Sequence, residues 1–115
     1  MKIRVEENDN LTMEDGKIKA VVKNNSYFFT VSDIEQVLII TTDLGPFYDD
    51  MCLAIRIDEE TAIFIMSEHP SYRSFLFDQL GKAIKLDYNA IIKASTCTEN
   101  HIFVVYKRES EPHEK

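Results

Sequence analysis

From Met51 to Ile57 the chain alternates, with Met51, Leu53, Ile55 and Ile57 on one side of an extended segment and Cys52, Ala54 and Arg56 on the other. Period two with one apolar side predicts a half-buried β-strand. Asp58-Glu59-Glu60-Thr61 turns this strand into the apolar run 62–66, so the two segments form a hairpin. From Ser67 the period lengthens. Tyr72, Phe75, Leu76 and Leu80 recur at helical spacing, with Pro70 suited to a helix start and Gly81 to its end. Asp87 predicts the N-cap of a second helix carrying Tyr88, Ile91, Ile92 and Ser95 on one stripe and stopping near Thr98. Ile102 to Tyr106 is an unbroken apolar, β-branched and aromatic run, which predicts a well-covered final strand.

The first third alternates short β-like runs with turn residues. Segments 3–6, 18–22 and 27–31 are separated by Asn8-Asp9-Asn10 and Asn24-Asn25, a pattern that predicts a meander of antiparallel strands. Ser32-Asp33-Ile34-Glu35 has the form of a helical capping box. Only one turn separates it from the β-branched run 37–42, so it predicts a brief turn between strands. The fold class is therefore α+β: a strand-rich antiparallel sheet or partly open barrel, followed by two helices and a C-terminal strand. Residues 1–108 are expected to form a single domain and 109–115 a polar, frayed tail.

Composition narrows the function. At 115 residues and 44% hydrophobic content, the chain can support a core without a metal or disulfide. Its formal charge of −7 opposes nucleic-acid phosphates and anionic membranes and favours a basic protein partner. No apolar stretch approaches the roughly 18 residues of a membrane helix, and the first ten residues lack the apolar core of a secretory signal. A cytoplasmic location with reduced Cys52 and Cys97 is expected. There is no GxGxxG, Walker loop, HExxH, GxSxG or CxxC pair, and Gly16, Gly45 and Gly81 are too far apart to cradle a phosphate. No cofactor is expected.

Three places carry candidate chemistry. The segment Gly45 to Asp50 sets Phe47 and Tyr48 beside Asp43, Asp49 and Asp50, which suits recognition of a basic partner. The simpler alternative is a Gly-Pro turn with a packed Phe47 and solvated aspartates. These carboxylates could also hold a divalent cation, but their spacing lacks the ligand positions of an EF-hand loop. Cys97 and His101, with Asp87 or Glu99, offer a thiol and an imidazole for a small enzyme or ligand pocket. A buried helix-end cysteine and a surface histidine explain the same residues. His69 precedes Pro70 at a helix start, where amides could bind an anion; the alternative is an extended residue ahead of proline. Phe77 falls off the helical stripe and is a further candidate anchor if exposed.

The segments TTDLGPFYDD (41–50), SEHP (67–70) and FDQLGKAIKLDYNAIIKASTCTENHIFVVYKR (77–108) resemble a family of small, functionally uncharacterised bacterial proteins with a GPF-acidic loop and a CTEN-like turn. The strand, short turn and strand of YFFTVSDIEQVLII, followed by a hairpin and a helix, are similar to pleckstrin-homology-like barrels. Small acidic bacterial domains of this size include immunity proteins, which act by covering a toxin. The expected function is thus a non-catalytic interaction domain of immunity or inhibitor type with a basic protein partner. The alternative is a small ligand-binding domain or enzyme with its pocket near Cys97 and His101 or the 43–50 segment.

Overall fold

The computed structural model describes residues 1–41, 51–97 and 99–108. Among them, two sheets and two helices enclose one core. The strands are β1 (Lys2–Val5), β2 (Asn10–Glu14), β3 (Lys17–Val22), β4 (Asn25–Thr30), β5 (Gln36–Thr41), β6 (Met51–Arg56), β7 (Ala62–Met66) and β8 (His101–Lys107). They form a five-stranded sheet in the order β1-β7-β6-β5-β8 and a three-stranded sheet in the order β2-β3-β4. The predicted α+β class holds, and the sheets do not close into a barrel.

The first third departs from the expected meander. Lys2–Val5 leaves it and pairs parallel to β7, with Ile3 opposite Ile63 and Val5 opposite Ile65. Its place in the meander is taken by Asn10–Glu14, whose alternation buries Leu11 and Met13. Two-residue turns with positive φ at both positions make the hairpins possible: Asp15-Gly16 joins β2 to β3, and Lys23-Asn24 joins β3 to β4. The link between β4 and β5 is a single 3-10 turn, Val31–Asp33. Its reciprocal cap falls two residues earlier than the sequence pattern suggests, since Asp33 Oδ2 accepts from Thr30 N at 2.8 Å. Glu35 instead pairs with Arg56 Nε at 3.3 Å.

The first helix, α1, runs over 72–83. Its central stretch, Ser74–Leu80, is π-helical and buries Phe75, Leu76 and Leu80. The wider turn brings Phe75 and Leu80, five residues apart, to the same side. Gly81 does not end this helix. It is helical itself, and helix geometry persists to Ala83 because Gly81 answers a packing need. A Cβ there would lie 2.7 Å from the Tyr88 hydroxyl and 3.1 Å from the Leu76 carbonyl oxygen. The second helix, α2 (Tyr88–Ser95), starts at the expected N-cap, where Asp87 Oδ1 accepts from Ala90 N at 3.1 Å.

The core lies between the sheets and helices. Val37, Ile39, Leu53, Ile55, Ile63 and Ile65 turn one face of the large sheet inward. That face meets α1 and α2 through Phe75, Leu76, Leu80, Ile91 and Ala94, and the small sheet through Leu11 and Ile18.

Candidate functional site

The site is the opposite face of the five-stranded sheet, and ladder register fixes what it presents. Across its middle run Arg4, Phe64, Ala54, Leu38 and Val104, each paired with the next. The next row runs Met66, Cys52, Ile40 and Ile102. Excluding Arg4, these rows make a block of apolar side chains and one thiol spanning four strands. Its members pack outside the main core cluster; Ala54 at its centre is buried by its neighbours, and Leu38, Ile40, Cys52, Phe64 and Met66 are half-buried. Ile102 is 58% exposed and Val104 46%. At about 4.8 Å between strands, the block is roughly 14 Å wide between its outer strands. That is the size of an interface centre rather than a whole interface.

Among the described residues, the expected well-covered last strand is covered on its inner side only. Val105 is buried and Phe103 half-buried on the inner side, but Val104 and Ile102 face outward. The continuous apolar runs 37–40, 62–66 and 102–106 signal two apolar faces. Among the described residues, helices and small sheet contribute to a core on only one of them.

The border of the block is charged. The row beyond Arg4 and Phe64 runs Lys2, Ala62, Arg56, Gln36 and Lys107. Arg56 is tied down by Glu35 and by Gln36 Oε1 at 3.2 Å, whereas Lys2, Arg4 and Lys107 are exposed.

At the β1 corner the face deepens into a groove of about 680 Å³. Its lining includes the cations Lys2 and Arg4, the carboxylates Glu6, Glu7 and Glu68, and Cys52, Phe64, Met66 and Pro70. A hydrogen-bonded hub fixes its end. His69 Nδ1 accepts from Ser71 N at 3.0 Å, so Nε2 carries the proton in this arrangement. It faces the carbonyl oxygens of Glu6 and Asp9, each at 3.0 Å. His69 is therefore a fastener between turns rather than an anion ligand at a helix start. The nearly buried Asp9 carboxylate accepts from Glu6 N at 2.8 Å and Lys23 N at 3.0 Å. These two bonds, Glu6 first, hold its pKa below the ordinary carboxylate value. Beside the groove, burial pushes the Tyr72 hydroxyl up to about 12, with the Cys52 thiol adding to the effect.

At each edge of the sheet the chain engages some backbone groups of its own. Beyond Val5, Glu6 uses its N–H and carbonyl on Asp9 and His69. At the other edge β8 bulges opposite Val37 and Leu38, and the Val105 carbonyl accepts from Asp87 N at 2.8 Å. The β8 bulge and its bond to Asp87 interrupt that edge locally.

The other sequence candidates separate. Asp43, Phe47, Tyr48, Asp49 and Asp50 lie outside the described residues. Cys97 and His101 share no hydrogen bond: the Cys97 sulfur lies 3.5 Å from Thr41 Oγ1 and from the Glu99 carbonyl oxygen, while the His101 ring packs on Phe103 at 4.5 Å. Asp87 is committed to capping. Phe77 is half-buried against the core with the Arg73 guanidinium 5.8 Å from its ring centroid, so it is no free anchor. Among the described residues no group of three or more His, Cys, Asp or Glu is placed to hold a metal ion. No helix there is long and apolar enough to cross a membrane.

Among the described residues, fold and site together define an α+β domain whose large sheet has a second, outward, largely apolar face bordered by cations. No family model matches the chain, and neither a curated protein nor a solved structure does.

Proposed function

We propose that this chain is a non-catalytic interaction domain that binds a protein partner across the open face of its large sheet. The observation that carries this reading is the outward-facing apolar block of Phe64, Leu38, Ile40, Ile102 and Val104 around a buried Ala54, with Ile102 and Val104 58% and 46% exposed. The partner presents an apolar patch to this block and acidic side chains to Lys2, Arg4 and Lys107, which set orientation and encounter rate more than affinity. A basic partner remains the expectation attached to the carboxylates of the 43–50 segment. The inhibitor type fits the same reading, since a domain of this class acts by covering a surface rather than by chemistry. We place that action in the cytoplasm, where Cys52 and Cys97 stay reduced.

The test places a photo-crosslinking amino acid at position 104 and, as a control, at position 28, where Phe28 is 67% exposed on the small sheet. A partner recovered from 104 and not from 28 is purified and its affinity measured against Leu38→Glu, with folding checked by circular dichroism. Affinity should fall at least tenfold. Unchanged affinity in the folded variant, or equal crosslinking from both positions, overturns the reading.

A further inference from the structure

We infer that the groove at the β1 corner reads a polarised segment of the partner: an acidic side chain at one end, an apolar anchor in the middle and a basic side chain at the other. This rests on the docking reading above and adds a register to it. Lys2 and Arg4 project on the same side of β1, as expected for residues two apart in a strand. Immediately after the strand the charge reverses at Glu6 and Glu7, and both carboxylate residues line the same groove. Alongside β1 on the neighbouring strand lie Phe64 and Met66, successive outward residues of β7, and Pro70 also lines the groove. Phe64 is ladder partner to Arg4, so the apolar lining begins directly next to a cation.

The dimensions select a short extended segment. Lys2 and Glu6 are four residues apart along a strand and its first continuation, about 13 Å at roughly 3.3 Å per residue. About four residues of extended chain cover the same distance. A groove of 680 Å³ takes one large apolar side chain with its flanking residues, and the aromatic ring and thioether lining it suit an aromatic or leucine anchor. The end wall is rigid, because both ring nitrogens of His69 and the Glu6 backbone are already engaged with the 6–9 turn and Ser71. A rigid wall loses little freedom on binding, which favours a defined register over a smeared contact.

The orientation follows from the two signs. A segment with its acid over Lys2 and Arg4 and its base over Glu6 and Glu7 satisfies both ends. One carrying two acids or two bases meets like charge at one of them.

The probes are four blocked hexapeptides sharing a central leucine-phenylalanine pair and differing only in their flanking charges: acid and base, two acids, two bases, or none. They are titrated into the full chain and followed by backbone and methyl NMR. The acid-and-base peptide should bind about five- to tenfold more tightly than either like-charged one, with the largest shifts at Arg4, Phe64 and Met66. In the double variant Lys2→Glu, Arg4→Glu the two-base peptide should become the tightest. Equal affinities for all four peptides, shifts centred elsewhere, or an unaltered ranking in the double variant overturn the inference. If Leu38→Glu weakens the crosslinked partner while the ranking is flat, the docking reading stands and the register fails. If the ranking holds while Leu38→Glu changes nothing, the docking reading fails and the groove is a site in its own right.

Discussion

The imidazole Nε2 of His69 lies 3.0 Å from the carbonyl oxygen of Asp9, and the same nitrogen lies 3.0 Å from the carbonyl oxygen of Glu6. Asp9 in turn binds the N–H groups of Glu6 and Lys23. Two side chains thus fasten the end of β1, the β3–β4 turn and the entry to α1. His69→Ala leaves three backbone groups seeking water, and a cost of about 1–2 kcal/mol is expected because the site is only partly buried. Urea unfolding measures this; a midpoint equal to the parent's would show that the fastener contributes nothing.

Asp9 also makes a prediction about acid. Its folded pKa lies below the ordinary 3.8 because the charged carboxylate accepts two backbone N–H bonds. The unfolded chain therefore takes up a proton first as pH falls. The stabilisation is complete above the unfolded value and is lost as pH drops through the depressed folded one. Asp58, held low first by Glu60 N and also by Thr61 N, adds to the same acid limb. Between pH 5 and pH 2.5, Asp9→Asn should show a shallower fall in urea midpoint than the parent. Parallel curves would remove Asp9 as a contributor.

Tyr72 acts at the other end of the scale. Burial raises its hydroxyl from the ordinary 10.0 to about 12, so the unfolded chain loses this proton first. Stability is complete below about pH 10 and declines as pH rises through 12, by about 3 kcal/mol over the window. Tyr72→Phe should lose that alkaline decline, read from urea midpoints at pH 8 and 11. An equal decline in both proteins would place the alkaline sensitivity elsewhere.

Thr41 is buried at 1% exposure, and its hydroxyl donates to the Glu99 carbonyl at 2.7 Å. This bond ties the end of β5 to the turn that leads into β8. Thr41→Val keeps the shape and removes the donor, so it should cost about 1–2 kcal/mol and speed hydrogen exchange at the start of β8. Thr41→Ser keeps the donor and loses one methyl, about 1 kcal/mol, without the faster exchange. Equal exchange in both variants would mean that the hydroxyl does not hold the turn.

Legibility followed the range of the interactions. The 51–66 hairpin, the Asp87 cap and the α+β class were readable because each rests on neighbours within a few residues. The Asp15-Gly16 turn was equally local, and that dipeptide alone would have placed β2. The parallel pairing of β1 with β7 was hidden, since it joins segments about sixty residues apart and leaves no periodic mark of its own. The π-helical stretch and the role of Gly81 depend on the Tyr88 hydroxyl arriving from the next helix. The open face was half visible. Uninterrupted apolar runs in β5, β7 and β8 announce strands with two apolar sides, but only the packing shows which side the helices take.

That choice of side can be tested with two adjacent valines. Val104 is 46% exposed on the open face, whereas Val105, at the β8 bulge, is 1% exposed and packed in the core. Threonine has valine's shape with a hydroxyl added, so the substitution asks only whether that hydroxyl reaches water. Val105→Thr buries it among apolar neighbours and should cost about 1.5–3 kcal/mol. Val104→Thr leaves it solvated and should stay within about 0.5 kcal/mol of the parent in dilute protein. If a second copy covered this face, Val104→Thr would lower stability more at high protein concentration than at low, through weaker association. Equal costs at the two positions, independent of concentration, would mean that Val104 does not face solvent, and the open face would have to be abandoned.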